Sequence, residues 1–127
     1  MMNDEQNTKR LDLRSRTKKW SLKIIRLYSS LPKTTEAQVL GRQALRSGTS
    51  VGAHYREATR ARSSLEFVSK IECGLQELEE TVYWLELLVE AAILKPPAVQ
   101  DLLTEAKELT AIFVASAKTA KQSRRDH

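Results

Sequence analysis

The side chains in this sequence that could carry chemistry are a histidine, a cysteine and a set of glutamates. His54 is the non-terminal histidine and Cys73 the single cysteine. Glutamates cluster between residues 64 and 95: Glu66, Glu72, Glu77, Glu79, Glu80, Glu86 and Glu90. A two-metal site within a helical bundle requires Glu-x-x-His pairs that point inward. The local order His54-Tyr55-Arg56-Glu57 supplies no such pair and has no second copy, so we expect no metal site.

The sequence also lacks the motifs that mark common enzymes. It contains no phosphate-binding glycine loop, Gly-x-Ser-x-Gly turn, haem attachment motif or zinc-ligand cluster. Cys73 lies between predicted core positions, which favours a partly buried structural thiol over a catalytic one. We therefore predict no catalytic residue and no cofactor, and a protein that is not an enzyme.

The strongest chemical signal is positive charge in the first half of the chain. The whole sequence carries a net charge of +5, but residues 1–63 carry +9 and residues 64–95 carry −5 by count. Seven cations fall within 17 residues of the first predicted helix, beginning at Arg10 and interrupted by Asp12. A solvated helix face commonly has such a run, and so does a surface that binds phosphates. The predicted nucleic-acid-binding residues are Arg14, Arg16, Lys18, Lys19, Lys23, Arg26, Arg42 and Arg46.

A second charged group closes the second predicted helix. Cations near a helix C-terminus interact favourably with the helix dipole, which accounts for part of this group. The remainder suggests contact with phosphates or with a neighbouring subunit. The residues that we assign to a subunit interface or sequence motif are Gly48, Gly52, His54, Tyr55, Arg56, Glu57, Arg60 and Arg62.

Helices must position all of these residues, because apolar side chains recur at helical spacing along the chain. The clearest heptad seam is Val68, Ile71, Leu75, Leu78, Val82, Leu85, Val89 and Ala92. Ser63 and Glu66 predict a capping box at its start, and Lys95-Pro96-Pro97 predicts its end.

Three further helices follow from weaker patterns. The first has a face of Trp20, Ile24, Leu27 and Leu31, widened by Ile25 and Tyr28, and Pro32 ends it. The second begins at a predicted capping box of Thr35 and Gln38 and has a face of Ala37, Leu40, Gly41, Ala44, Leu45, Gly48, Val51, Gly52 and Tyr55. The fourth opens at Pro97 and has a face of Val99, Leu102, Ala106, Leu109, Phe113, Ala117 and Ala120.

The second helix is the unusual one, because glycine inside a helix costs about 1 kcal/mol relative to alanine. The run Ser47-Gly48-Thr49-Ser50 could break it into two short helices. We favour a continuous helix, since the apolar periodicity passes through this run unaltered.

The predicted fold is therefore all-α: an antiparallel, up-down-up-down four-helix bundle. We expect one domain over residues 1–127, with polar tails at about 1–10 and 122–127. No apolar stretch is long enough to span a bilayer, no secretory signal is visible, and a lone cysteine fits a reducing compartment. These features predict a cytoplasmic protein.

Several segments resemble the four helix bundle protein family, also called the 23S rRNA intervening-sequence protein family. The segments are Gly41 to Ala58, Arg60-Ala61-Arg62-Ser63, Glu66 to Lys70, Glu77 to Thr81 and Tyr83 to Leu88. The resemblance implies an antiparallel four-helix bundle that associates as a ring-like homopentamer. It also implies a relation to the accessory protein of diversity-generating retroelements, a basic pentamer that contacts nucleic acid. His54 is a departure, since the family usually has asparagine there.

Two hypotheses follow. In the first, the protein is a non-enzymatic oligomer that binds RNA or another nucleic acid through a basic surface of helices one and two. In the second, it is a homo-oligomeric scaffold or protein–protein interaction module, in which the basic helices pair with the acidic third helix of the next subunit and the charges serve assembly.

Overall fold

The computed structural model describes the backbone of residues 4–125 and the side chains of residues 13–123. It contains four α-helices: α1 (Asp4–Ser30), α2 (Thr35–Thr59), α3 (Ser64–Glu90) and α4 (Gln100–Arg125). A 3-10 turn, Pro96–Ala98, precedes α4. No strand occurs within the described residues, and the all-α prediction is confirmed. Helices α1 and α4 extend into the segments predicted as polar tails, of which residues 1–3 and 126–127 lie outside the described part.

The order of contacts between neighbouring helices shows that each pair is antiparallel. A Cβ placed on Gly41 would meet Tyr28, one on Gly48 would meet Ile24, and one on Gly52 would meet Thr17. Residue numbers therefore rise along α2 as they fall along α1. This up-down relation is the predicted one.

The remaining pairs follow the same rule. Between α2 and α3, the hydroxyl oxygens of Ser47 and Thr81 lie 2.7 Å apart, and Glu57 pairs with Lys70. Between α1 and α4, Arg16 bonds to Glu105 and the Trp20 indole N–H donates to the carbonyl of Leu102 at 3.1 Å. Between α3 and α4, Lys121 pairs with Glu72 and a Cβ on Gly74 would meet Phe113, so residue numbers again run in opposite directions. The bundle is thus a closed cycle of adjacent helices, α1–α2–α3–α4.

Helix α2 is continuous through Gly48, so the predicted continuity is confirmed and the alternative of two short helices is wrong. Its cap differs by one residue from the prediction. The Thr34 hydroxyl, not that of Thr35, accepts from the Ala37 N–H at 3.4 Å. Gln38, the predicted partner in a capping box, accepts from the Tyr28 hydroxyl instead and thereby fastens the start of α2 to α1.

The buried face of α3 is offset from the predicted seam. Ile71, Leu78 and Leu85 are buried as predicted, but the alternate positions are Gly74, Thr81 and Leu88. The predicted Leu75, Val82 and Val89 are half-buried along the flank. The reason is close helix packing: a Cβ on Gly74 would lie 2.6 Å from Phe113 Cε2, so this site accepts only a small residue.

Both ends of α3 also differ in detail from the prediction. At the start, the Ser63 hydroxyl accepts from the Glu66 N–H at 3.0 Å, as predicted, but the Glu66 carboxylate accepts from the Arg62 N–H and not from that of Ser63. At the other end the helix stops at Glu90, and Ala92 is exposed with φ 60°. The predicted extension of the seam to Ala92 is therefore wrong.

The core is assembled from one face of each helix. Trp20 and Phe113 are its largest fully buried side chains, and the predicted face of α4 is buried from Leu102 to Ala117. Ile25, predicted to widen the core face of α1, is 41% exposed. Thr17, which carried no apolar signal, is fully buried because its hydroxyl donates to the Leu13 carbonyl at 2.8 Å.

Candidate nucleic-acid interface

The cations of α1 lie on two different sides of the bundle. Thr17 and Ile24 face the glycines of α2, whereas Arg16 and Trp20 face α4. With 3.6 residues per turn, these contacts place Arg14 and Lys18 on the α2 side of α1. The same geometry places Lys19, Lys23 and Arg26 on the α4 side.

Arg16 is occupied by a salt bridge to α4. Its Nε and Nη2 groups donate to the two carboxylate oxygens of Glu105 at 2.9 and 2.6 Å, and Nη2 lies 3.4 Å from Glu108. Bidentate arginine–carboxylate pairs are among the strongest charge-assisted hydrogen bonds. Arg16, predicted to bind nucleic acid, therefore joins α1 to α4, and two of its N–H groups are engaged by Glu105.

Carboxylates also surround the other cations on this side. Lys19 and Lys23 line a groove of about 370 Å³ between α1 and α4, together with Trp20. The opposite wall carries Asp101, Glu105 and Glu108. A polyanion entering this groove would meet acids as well as lysines, so the α4 side of α1 is a poor phosphate surface despite its sequence.

The α2 side is different, because cations from two helices meet there. Gly41, Gly48 and Gly52 define the side of α2 that faces α1. Around the helix axis, Arg42, Arg56 and Arg60 lie about a quarter turn from this side, at the edge beside α1, and Arg46 lies further round at the outer margin. We call the set Arg14, Lys18, Arg42, Arg46, Arg56 and Arg60 the α1–α2 basic face. Within the side chains described, none of these six forms an ion pair.

The acid that follows Arg56 in the chain is engaged elsewhere. Glu57 turns toward α3, where one carboxylate oxygen lies 3.1 Å from Lys70 Nζ and the other 3.1 Å from His54 Nδ1. The hydrogen bond and the charge of Lys70 lower the pKa of Glu57, with a smaller contribution from His54, and Glu57 in turn raises the pKa of Lys70. The predicted motif residues His54 and Glu57 therefore link α2 to α3 in one chain.

Gly48, Gly52 and Tyr55 are buried in the bundle. Ile24 and Thr17 cover the two glycines, and the Tyr55 ring lies 6.0 Å from that of Phe113. Because these three residues are buried within the subunit, their packing supports the motif alternative of the prediction over the interface alternative. Their part of the motif encodes the packing of α2 against α1 and the core. Arg62, in contrast, is exposed in the α2–α3 connection.

The structure also reveals a surface that we did not assign from the sequence. Tyr83 on α3 is 53% exposed and packs edge-on against Trp84, with ring centroids 5.0 Å apart. Exposed aromatic residues on a helix indicate protein contacts. Apolar periodicity predicts only the buried face of α3, and Tyr83 lies outside that face.

Neither a metal-ligand cluster nor a membrane span emerges from the described residues. No group of three or more His, Cys, Asp or Glu side chains among them is arranged to hold an ion. None of their helices combines the length and apolarity that crossing a bilayer requires. Cys73 is half-buried on α3.

Fold and surface together define a basic, all-α four-helix bundle, and comparison with known proteins assigns its family. Residues 9–115 match the model of the 23S rRNA-intervening sequence protein family. A crystal structure of a protein with unknown function from the S23 ribosomal protein family of Bacteroides thetaiotaomicron is 31% identical, with a TM-score of 0.81, and the match covers 87% of this chain and 98% of that one. The search of curated proteins finds no match. The chain belongs to the 23S rRNA-intervening sequence protein family.

Proposed function

We propose that this protein is a non-enzymatic, oligomeric, cytoplasmic module that binds RNA or another nucleic acid through the α1–α2 basic face. The observation that carries the proposal is the segregation of charge: the six cations of the α1–α2 basic face form no ion pair with the described side chains, and of the six only Arg46, at the outer margin, influences a described carboxylate, that of Glu77 on α3.

The arrangement suits contact with a phosphate backbone better than contact with base edges. Arg42 and Arg56 are separated by 14 positions of α2, which corresponds to about 21 Å at 1.5 Å rise per residue. Cations spread over this length on one side of α2 can contact successive phosphates along a strand. Binding through phosphates carries little sequence information, so we expect affinity for many sequences.

The direct test measures binding of a labelled RNA duplex, single-stranded RNA and DNA duplex over a salt series. Affinity for at least one of them should fall steeply as salt rises, because cation–phosphate contacts release counterions. The double variant Arg14→Glu/Arg56→Glu should weaken binding at every salt concentration and reduce the slope of log affinity against log salt by about 2, since each lost cation reduces it by about 1.

A matched control uses the same charge change on the other side of α1. Lys19→Glu/Lys23→Glu alters the acid-lined groove beside α4 and changes the net charge by the same amount as Arg14→Glu/Arg56→Glu. Its affinity should be reduced only by the effect of that net charge and should otherwise remain close to that of the wild type. Absence of binding to all three probes at low salt would contradict the proposal. Equal losses in both double variants would show that net charge acts without a defined face.

The second candidate is a scaffold whose charges serve subunit assembly. It is favoured by large apolar side chains exposed on α1 and α2: Leu22, Ile25 and Val39. These apolar side chains would have no role in binding phosphates, whereas a subunit contact would bury them. Native mass spectrometry of charge-reversed Arg56, Arg60 and Arg62 distinguishes the candidates, because an oligomer that survives these reversals does not use those arginines for assembly.

A further inference from the structure

We propose that a cavity at the end of the bundle receives one unpaired base of a nucleic-acid strand whose phosphates contact the α1–α2 basic face. The inference rests on the proposed function and deepens it, because it identifies single strands as the class of ligand. It starts from a cavity that is lined by two aromatic rings and lies beside three arginines of the basic face.

The cavity has a volume of about 320 Å³ and lies where α2 passes into α3. Each of the four helices contributes to its wall. Leu13 and Tyr55 are 0% and 7% exposed and line its inner part. Ala61 and Phe67 are half-buried and Thr59 is exposed, so the cavity opens to solvent at this end of the bundle.

The wall of the cavity suits a flat aromatic occupant. The rings of Tyr55 and Phe67 belong to it, and Leu13 and Ala58 add aliphatic surface. An apolar cavity of about 150 Å³ admits a benzene ring, so this cavity has room for a nucleobase. Unpaired bases stack on aromatic side chains, and they do so whatever their sequence.

Two hydroxyl groups in the wall add a polar requirement. The Ser116 hydroxyl donates to the Ile112 carbonyl at 2.9 Å, and the Thr59 hydroxyl donates to the Arg56 carbonyl at 2.7 Å. A hydroxyl has one proton to donate, so both oxygens can only accept further hydrogen bonds, and the occupant must supply N–H groups. Cytosine carries an amino group at the position where uracil carries a carbonyl oxygen. Of these two bases, we therefore expect the cavity to prefer cytosine.

Cations of the basic face adjoin the cavity. Arg60 lies between Thr59 and Ala61, which line the mouth. Arg14 and Arg56 each directly follow a residue that lines the inner part. Because a nucleotide carries its base and its phosphate on one sugar, a base inside the cavity keeps the adjoining phosphates close to these three arginines.

This contact distinguishes single strands from duplexes. A base can leave a duplex only at the cost of unstacking and unpairing, and the cost is least for a strand that is already single. The cavity therefore selects single strands, whereas the basic face alone binds the phosphates of either form.

The first test compares ligands of the wild-type protein. The labelled probes are single-stranded oligo(C), oligo(U), an abasic strand with the same number of phosphates, and an RNA duplex. Oligo(C) should bind more tightly than oligo(U), and about tenfold more tightly than the abasic strand, because only a base can stack on the aromatic rings. Oligo(C) and the abasic strand should give nearly the same slope of log affinity against log salt, since they present the same phosphates.

The second test alters the cavity without altering charge. Ala61→Leu fills the mouth, and Phe67→Leu removes one ring. Ala111→Leu is the matched control, since Ala111 is exposed on α4 and does not line the cavity. Circular dichroism checks that each variant keeps the wild-type helix content. Both cavity variants should bind oligo(C) about tenfold more weakly, with the wild-type salt slope, and should bind the duplex as the wild type does. The control should bind every probe as the wild type does.

Two results would overturn the inference: a wild type that binds the abasic strand as tightly as oligo(C), or folded cavity variants that bind oligo(C) as tightly as the wild type. The first comparison needs no variant, so it decides the question even if a substitution prevents folding. Salt-dependent binding that ignores changes in the cavity would refute only this inference. Absence of binding to every probe would refute the proposed function together with it.

Discussion

The pKa values of two glutamates between α2 and α3 are shifted in opposite directions, that of Glu57 downward and that of Glu77 upward, because their surroundings differ. Lys70 donates a hydrogen bond to Glu57 and, with its charge, lowers the pKa of that carboxyl. Partial burial raises the pKa of Glu77, and the nearby Glu80 adds to the effect, whereas His54 and Arg46 oppose it. The ionised form is thus favoured at Glu57 and disfavoured at Glu77 in the folded state.

The two sites should therefore give opposite pH dependences of stability. Glu57, whose pKa is lower in the folded than in the unfolded state, stabilises the fold above the unfolded pKa, and this contribution is lost as pH falls through the folded pKa. Glu77, whose folded pKa is raised, destabilises the fold above that pKa and ceases to do so in acid. At pH 7 we expect Glu57→Gln to lower the Tm slightly and Glu77→Gln to raise it.

Thermal unfolding at pH 7 and at about pH 3.5, below the ordinary glutamate pKa, checks the sign. Both differences from the wild type should shrink toward zero at the lower pH. Glu79→Gln, on the same helix, is the control, since Glu79 is exposed and forms no ion pair with the side chains described. A Glu77→Gln variant less stable than the wild type at pH 7 would show that its carboxylate makes a favourable contact.

Arg14 and Arg16 show how much of the candidate site the sequence could predict. Both belong to one basic run, and composition and charge identify that run as a polyanion-binding candidate. Their roles differ because two residues span about 200° of an α-helix, so that Arg16 reaches Glu105 and Arg14 does not. Glu105 is 89 positions away in the chain. The presence of a basic surface was therefore predictable, but the side of the helix that retains the charge depends on tertiary packing.

At the scale of the element, the end of α3 carries a local conformation that is unusual for its residue. The N–H of Ile93 donates to the Leu88 carbonyl at 3.0 Å and that of Ala92 to the Val89 carbonyl at 2.9 Å. These are the two bonds of a Schellman motif, which usually has glycine at the left-handed position. Ala92 occupies that position with φ 60°.

Replacing Ala92 with glycine should stabilise the protein. A left-handed conformation costs an L-residue roughly 1–2 kcal/mol that glycine avoids, and part of the gain is offset by the greater freedom of glycine in the unfolded chain. We expect Ala92→Gly to raise the free energy of unfolding by about 1 kcal/mol in urea titrations. Ala91→Gly is the matched control: its φ is −81°, so the substitution should be neutral or destabilising. Destabilisation by Ala92→Gly itself would mean that the Ala92 methyl group makes a contact worth more than the conformational gain.

This motif also shows which parts of the fold the sequence could specify. The number, order and approximate extent of the helices follow from apolar periodicity and prolines. The end of α3 was missed because the helix stops at an alanine, without the glycine that normally marks such an end. The offset of its core face was missed because large apolar residues dominate a periodicity, whereas Gly74 and Thr81 are small. Such residues are buried where helices approach closely, which only the partner helix reveals.

At the scale of the whole molecule, the four helices are not equally well held. Helices α2 and α3 pack against each other more extensively than any other pair, and the Ser47–Thr81 hydrogen bond lies buried between them. Helices α1 and α4 meet over a much smaller contact, in which Arg16 and Trp20 provide the hydrogen bonds. The bundle is thus a central α2–α3 hairpin with α1 and α4 attached to its two sides.

Amide hydrogen exchange measured by mass spectrometry should reproduce this hierarchy. Amides in the middle of α2 and α3 should exchange last, because they open only with the whole fold, and those of α1 and α4 should exchange earlier through local opening. Arg16→Ala should accelerate exchange in α1 and in the first half of α4 while leaving the centre of α2–α3 nearly unchanged. Arg14→Ala, two residues away and without an ion pair in the described part, should leave all four helices as they are. Uniform acceleration by Arg16→Ala would instead show that the bundle opens as one cooperative unit. In that case α1 would be held as firmly as the α2–α3 hairpin. Helix α1 supplies two of the six cations on the α1–α2 basic face, and these two would then be fixed in place as well.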